Sequence, residues 1–115
     1  SGKNFNASGP IGPVLVLADE GIDPHNLRIT TRLNGEVMQD GTTADMVYDI
    51  PAIIDHISEW IELEVGDVIA MGTPSGVGFV RTPPRFLTPG DTISVEIDGI
   101  GVLSNPVVAD PYAAE

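Results

Sequence analysis

Apolar and polar residues alternate from 27 to 33. Leu27, Ile29, Thr31 and Leu33 fall on one face, and Arg28, Thr30 and Arg32 fall on the other. A period of two predicts a strand with one covered face. Asn34-Gly35 follows at once. Both residues tolerate positive φ, so the pair predicts a tight hairpin turn, with Glu36 to Gln39 returning antiparallel. The alternation recurs at Ile93, Val95 and Ile97, after which Asp98-Gly99 turns the chain and Ile100 to Val107 comes back. This predicts a second hairpin.

Between the hairpins the period changes. Ile50, Ile53, Ile54, Ile57, Trp60 and Ile61 recur at spacings of three and four, with Asp55, His56, Ser58, Glu59 and Glu62 opposite. That is the pattern of an amphipathic helix. Asp49 is placed to cap it, and Pro51 fits the first turn, where its missing N–H leaves nothing unsatisfied. Gly66 ends the segment. Two unbroken apolar runs, Val14-Leu15-Val16-Leu17 and Val68-Ile69-Ala70-Met71, read as short buried strands. Asp23-Pro24-His25-Asn26 reads as a turn. The Gly- and Pro-rich opening from Ser1 to Pro13 and the stretch from Gly72 to Gly90 read as loops, and the tail from Ala109 is expected to be loose. Together these elements predict a β-rich α+β domain.

Composition narrows the functional classes. The 115 residues leave room for one domain, and 42% hydrophobic against 19% charged content permits a buried core. Seventeen acidic residues against five basic ones give a net charge of −12. Such a chain repels phosphate backbones, which argues against a nucleic-acid partner. It also repels small anions, so a carboxylate ligand needs a metal ion or a placed cation. The absence of cysteine excludes disulfides, thiolate zinc sites and a cysteine nucleophile. No apolar run approaches the roughly 20 residues of a membrane span, so no membrane partner and a cytoplasmic location are expected.

Several motifs then occur in order. They are Gly2-Lys3-x-Phe5, Gly9-Pro10-x-Gly12-Pro13, Asn34-Gly35-Glu36-Val37-x-Gln39 with Thr42 to Met46, and Leu63-Glu64-x-Gly66-Asp67-x-Ile69. Gly72-Thr73-Pro74-x-Gly76-Val77-Gly78, Pro89-Gly90-Asp91, and Glu96-Ile97-x-Gly99-Ile100-Gly101-x-Leu103-x-Asn105-Pro106-Val107 follow. From Gly2 to about Val108 the chain resembles the fumarylacetoacetate hydrolase family. Phe79 to Leu87 is similar to its small domain-containing branch.

The resemblance implies a rolled mixed β-sheet domain with one packed helix. It makes residues 1–108 the C-terminal portion of a catalytic domain and 109–115 a tail. It also implies a magnesium or manganese ion that chelates the carboxylate and enol oxygens of a small 2-oxo or 1,3-dioxo acid. The reaction would be C–C hydrolysis, decarboxylation or isomerisation, and the enzyme usually a homodimer. In the family the ion is held by a Glu-x-Glu pair and a later Asp upstream of the Gly-Lys motif, so no metal ligand is expected within this chain. The mobile lid is upstream too, and the chain by itself is expected to be inactive.

Within the chain the resemblance singles out Lys3, whose ammonium would contact anionic oxygens, and Gly72 and Thr73, which would hold the substrate carboxylate. The chemistry is sensible. Reaction beside a carbonyl builds negative charge, and a fixed cation stabilises that charge most in the transition state. Small residues also let a ligand approach the backbone closely. The plain alternatives are an exposed lysine near a chain end and a turn that merely needs glycine. Glu62-Leu63-Glu64 mimics the ligand pattern, but it sits at the helix exit. His56 and Glu59 read as a solvated helix face, His25 as a turn residue, and Arg81 and Arg85 as surface cations. A competing class is a non-catalytic binding or assembly module that keeps the fold.

Overall fold

The computed structural model describes residues 7–18 and 21–110. Lys3 and residues 111–115 of the expected tail lie outside the described residues, while Ala109 and Asp110 are exposed coil.

Both hairpins form. Strand β1 (Arg28–Leu33) and strand β2 (Glu36–Thr42) are joined by Asn34 and Gly35, with φ of 52° and 86°. Two consecutive positive φ values are what a two-residue turn requires to match the twist of the strands. Strand β3 (Thr92–Ile97) and strand β4 (Gly101–Pro106) form the second hairpin, closed by an Ile100 N–H bond to the Ile97 carbonyl of 3.0 Å. Antiparallel pairing of β1 with β3 joins them into one four-stranded sheet, ordered β2-β1-β3-β4.

The strand β2 runs three residues beyond the predicted Gln39. An Arg28–Asp40 ion pair across the ladder and a bond from Thr43 N–H to the Leu27 carbonyl extend the pairing. The ladder is also irregular. Thr31 faces Gln39 and Arg32 faces Val37, leaving Met38 as an extra residue on β2. Its carbonyl accepts from the Arg81 guanidinium instead.

The central strand carries the core. Leu33 is 5% exposed, and Thr30 and Thr31 are buried as well. Alternation places Thr30 on the polar face, yet that face is covered. Thr30 pairs with Asp40 and Glu96 on the neighbouring strands, and the ion pairs Arg28–Asp40 and Arg32–Glu96 flank it. Long charged side chains lie over a short one and keep water from it.

Helix α1 (Ile50–Ser58) begins as predicted. Asp49 Oδ1 accepts from Ala52 N–H at 2.9 Å, and Pro51 occupies the first turn. The N–H of Ile50 donates to His25 Nε2 at 3.3 Å, so His25 ties the preceding turn to the helix start. The helix stops short of the apolar period: Trp60 and Ile61 both donate to the Ile57 carbonyl, and both are exposed. Ile50, Ile53 and Ile57 are half-buried.

The runs Val14–Leu17 and Val68–Met71 are not strands, which corrects the sequence reading. Val14, Leu15 and Val68 are exposed. An unbroken apolar run signals surface that calls for cover. A strand needs in addition a ladder edge within reach, which hydrophobicity does not encode. No helix among the described residues is long and apolar enough to cross a membrane.

Candidate functional site

The loop that follows Met71 bends against the end of β2. Two glycines, Gly41 and Gly76, mark the close approach, and Gly78 marks a tight fold within the loop itself. A Cβ at Gly41 would lie 2.9 Å from Pro74, one at Gly76 (φ 96°) would lie 2.6 Å from the Met38 carbonyl, and one at Gly78 would lie 1.8 Å from the Arg85 carbonyl. At Gly76 and Gly78 backbone sits on backbone, and at Gly41 the Pro74 ring sits on backbone, so no side chain fits between.

Two side chains bind the loop to the strand from opposite directions. From β2, the amide nitrogen of Gln39 donates to Pro74 O at 2.7 Å, Thr73 Oγ1 at 3.1 Å and Ser75 O at 3.3 Å. From the loop side, Arg81 donates through Nε to Gly76 O at 3.1 Å and through its terminal nitrogen to Met38 O.

The result is a cleft of about 460 Å³ between the loop, the end of β2, the short 3-10 turn Thr43–Asp45, and the start of α1. Gly72 and Thr73 line it, together with Gly41, Thr42, Tyr48 and Ile53. Gly72 has a φ of 114° and open space where a Cβ would stand, and Thr73 is exposed. Thr42 and Thr43 spend their hydroxyl oxygens locally, on Ala44 N–H at 3.2 Å and Leu27 N–H at 2.8 Å.

Two carboxylates border the cleft, Asp40 and Asp45. The Arg28 guanidinium holds Asp40 bidentately at 2.7 and 2.8 Å. That hydrogen bonding lowers the Asp40 pKa and raises that of Arg28. The pair is solvent-exposed, so its field within the cleft is largely self-cancelling and screened.

A second polar cluster lies behind the loop and is structural. Asp91 accepts from Asn34 Nδ2 at 2.8 Å, Thr88 N–H at 2.9 Å, Thr88 Oγ1 at 3.1 Å and Arg85 at 3.1 Å. Asn34 returns its own oxygen to Thr92 N–H at 2.8 Å. The Asn34 amide first, and then the Thr88 N–H, hold the Asp91 carboxyl well below the usual carboxylate range. Arg85 and Arg81 are therefore anchors inside the loop, not free surface cations.

The other acidic and histidine candidates do not converge. Among the described residues, no group of three or more His, Asp or Glu could hold a metal ion. Glu62 and Glu64 are exposed, and Glu64 uses its N–H to close a turn with Asp67 Oδ2 at 2.9 Å. His56 and Glu59 are exposed on or beside α1. The described residues thus do not make a divalent-ion site. Sequence reading assigned no role to Gln39 or Gly41 and took Arg81 for a surface cation. A glutamine on a strand has no chemical signature, and only the density of glycines around it hints at a close contact.

Residues 1–108 match the family model for fumarylacetoacetate (FAA) hydrolase, C-terminal. The chain is 48% identical over 106 residues to oxaloacetate tautomerase YisK of Bacillus subtilis, covering 92% of this chain and 35% of that protein. Among solved structures it superposes on a fumarylacetoacetate hydrolase from Exiguobacterium antarcticum with a TM-score of 0.84 and 48% identity, covering 88% of this chain and 36% of that one. It also superposes on maleylpyruvate hydrolase from Sphingobium sp. SYK-6 in complex with manganese(II) and pyruvate. There the TM-score is 0.76 and the identity 38%, covering 86% of this chain and 35% of that one. The chain spans about a third of the length of the curated relatives it matches.

Proposed function

Because the chain belongs to the fumarylacetoacetate hydrolase family, we propose that its parent protein is a divalent-metal-dependent enzyme for small 2-oxo or 1,3-dioxo carboxylic acids. Residues 1–108 form the C-terminal portion of its catalytic domain, and 109–115 are a tail. The named activities of relatives support the substrate class, since oxaloacetate and maleylpyruvate are both small oxo acids. Magnesium or manganese is the proposed ion, supported by the manganese complex of a relative. Its ligands belong to segments other than the described residues.

One observation carries the reading: Thr73 stands at the wall of a cleft of about 460 Å³, on a loop hydrogen-bonded to β2. In this reading the Thr73 hydroxyl and the open backbone at Gly72 receive the substrate carboxylate. The Lys3 ammonium stabilises the oxyanion that develops when a proton moves or a C–C bond breaks next to the carbonyl. A fixed cation in a chain of net charge −12 counts for more than it would in a neutral one. Exposed Val14, Leu15, Trp60, Val65 and Val68 suit contacts with the rest of the parent domain or with a second subunit. A cytoplasmic homodimer is the proposed form.

The experiment is a magnesium-dependent assay of the full-length parent on oxaloacetate and on acylpyruvates, with wild type, Lys3→Met and Thr73→Val. Loss of one preorganised oxyanion contact is expected to lower kcat by about 100-fold in Lys3→Met, with metal binding retained. Unchanged activity and unchanged metal binding in Lys3→Met would reject the site. A parent that turns over none of these acids and binds no ion would be the non-catalytic module.

A further inference from the structure

We infer that Gln39 is a positioning residue that sets the polarity of the Thr73 hydroxyl, making it a hydrogen-bond donor aimed at an anionic ligand in the cleft. The inference rests on the reading of Thr73 as a carboxylate contact.

The NH2 end of the Gln39 amide faces the loop. The atom 2.7 Å from Pro74 O and 3.3 Å from Ser75 O meets two carbonyl oxygens, which only accept, so it is the NH2 group. The same nitrogen lies 3.1 Å from Thr73 Oγ1. An amide nitrogen has no lone pair to offer, so the threonine oxygen accepts there, and its own hydrogen points elsewhere. Among the described residues, the Thr73 hydroxyl donates to no other group. The hydroxyl therefore presents a proton to whatever occupies the cleft.

The same amide engages the carbonyls of Pro74 and Ser75, and so draws two acceptor dipoles of the loop toward β2. These two bonds hold the amide in the orientation that turns its NH2 group to Thr73 Oγ1. Gln39 itself is held in place by its ladder position opposite Thr31, beside the extra residue Met38 whose carbonyl Arg81 engages.

A double-mutant cycle in the full-length parent tests this. The readout is the dissociation constant for pyruvate at saturating magnesium, with kcat and KM for oxaloacetate measured alongside. Gln39→Leu is expected to weaken pyruvate binding about tenfold, the scale of a lost hydrogen bond to a charged group, with KM rising more than kcat falls. In a Thr73→Val background the same substitution is expected to add nothing, because the hydroxyl it orients is gone. A merely structural role would weaken binding equally in both backgrounds, which would overturn the inference.

If Gln39→Leu fails to fold, Gln39→Met keeps the side-chain length and carries the same cycle. Pyruvate binding unchanged in Thr73→Val would sink the carboxylate reading and this inference with it. Weakened binding in Thr73→Val with unchanged binding in Gln39→Leu would sink this inference alone.

Discussion

Asn34 and Asp91 stand 57 residues apart in the chain, and their side chains meet at 2.8 Å, with Asn34 Nδ2 donating to Asp91 Oδ1. The turn residue of the first hairpin thereby grips the residue that leads into the second. Asp91 has only 9% of its side chain exposed and accepts from Thr88 and Arg85 as well. The junction fixes where β3 starts beside β1.

Acid sensitivity follows from that junction. The folded-state pKa of Asp91 is depressed, chiefly by Asn34. Its contribution to stability is thus fully present above the ordinary aspartate pKa of about 4. The contribution is lost as pH falls from there toward the lower folded value. Thermal melts between pH 7 and pH 2 are expected to show a declining melting temperature in wild type. In Asp91→Asn the neutral-pH value drops and the acid slope flattens.

Asp40 works in the same direction with a weaker outcome. Its pKa is lowered by Arg28, but the pair is exposed and accessible to salt. Asp40→Asn is expected to change the melting temperature little, and raising the salt concentration should erase even that difference. Melts of both variants at low and high salt separate the shielded carboxylate from the open one.

Two glycines separate steric from conformational effects. At Gly78 a Cβ would lie 1.8 Å from the Arg85 carbonyl, so Gly78→Ala forces backbone to move and is expected to cost about 3 kcal/mol. At Gly72 a Cβ meets nothing, but φ is 114°. Gly72→Ala is expected to cost about 1–2 kcal/mol from backbone strain alone. Urea unfolding of the two variants should rank them in that order.

Leu33 is the one buried apolar side chain among the described residues. Its truncation in Leu33→Ala leaves a cavity at the end of β1, where Leu33 pairs with Ile93, and is expected to cost about 2–4 kcal/mol. A midpoint shift in urea with unchanged slope is the check.

For the site, Thr73→Ser keeps the hydroxyl and is expected to hold KM within about threefold of wild type. Thr73→Val, losing a charge-assisted bond, should raise KM about tenfold or more. Steady-state kinetics of the full-length parent on an oxo acid decide it.

Much of this was legible in the sequence where the signal is local. Asn34-Gly35 announced one hairpin, Asp98-Gly99 the other, and Asp49 with Pro51 the helix start. The glycines and proline around Thr73 read as a loop, and the fold sets that loop at the wall of the cleft. Non-local features were not legible. Nothing in Ile29 or Val95 says that β1 pairs with β3. Val14–Leu17 and Val68–Met71 were mistaken for strands because apolarity does not specify a partner. Arg81 and Arg85 looked like surface cations, since a sequence shows a charge but not the carbonyls or carboxylate waiting for it. Gln39 stood in a motif with no role attached, because what it binds is a loop 34 residues away.

The extra residue at Met38 has a bearing on engineering. Deleting it would leave Gln39 opposite Thr31 and regularise the ladder, which an idealising designer would count as an improvement. It would also remove the carbonyl on which Arg81 rests. The sheet would gain order while the loop that lines the cleft lost one of its anchors, so regularity in one element would be gained at the expense of shape in another.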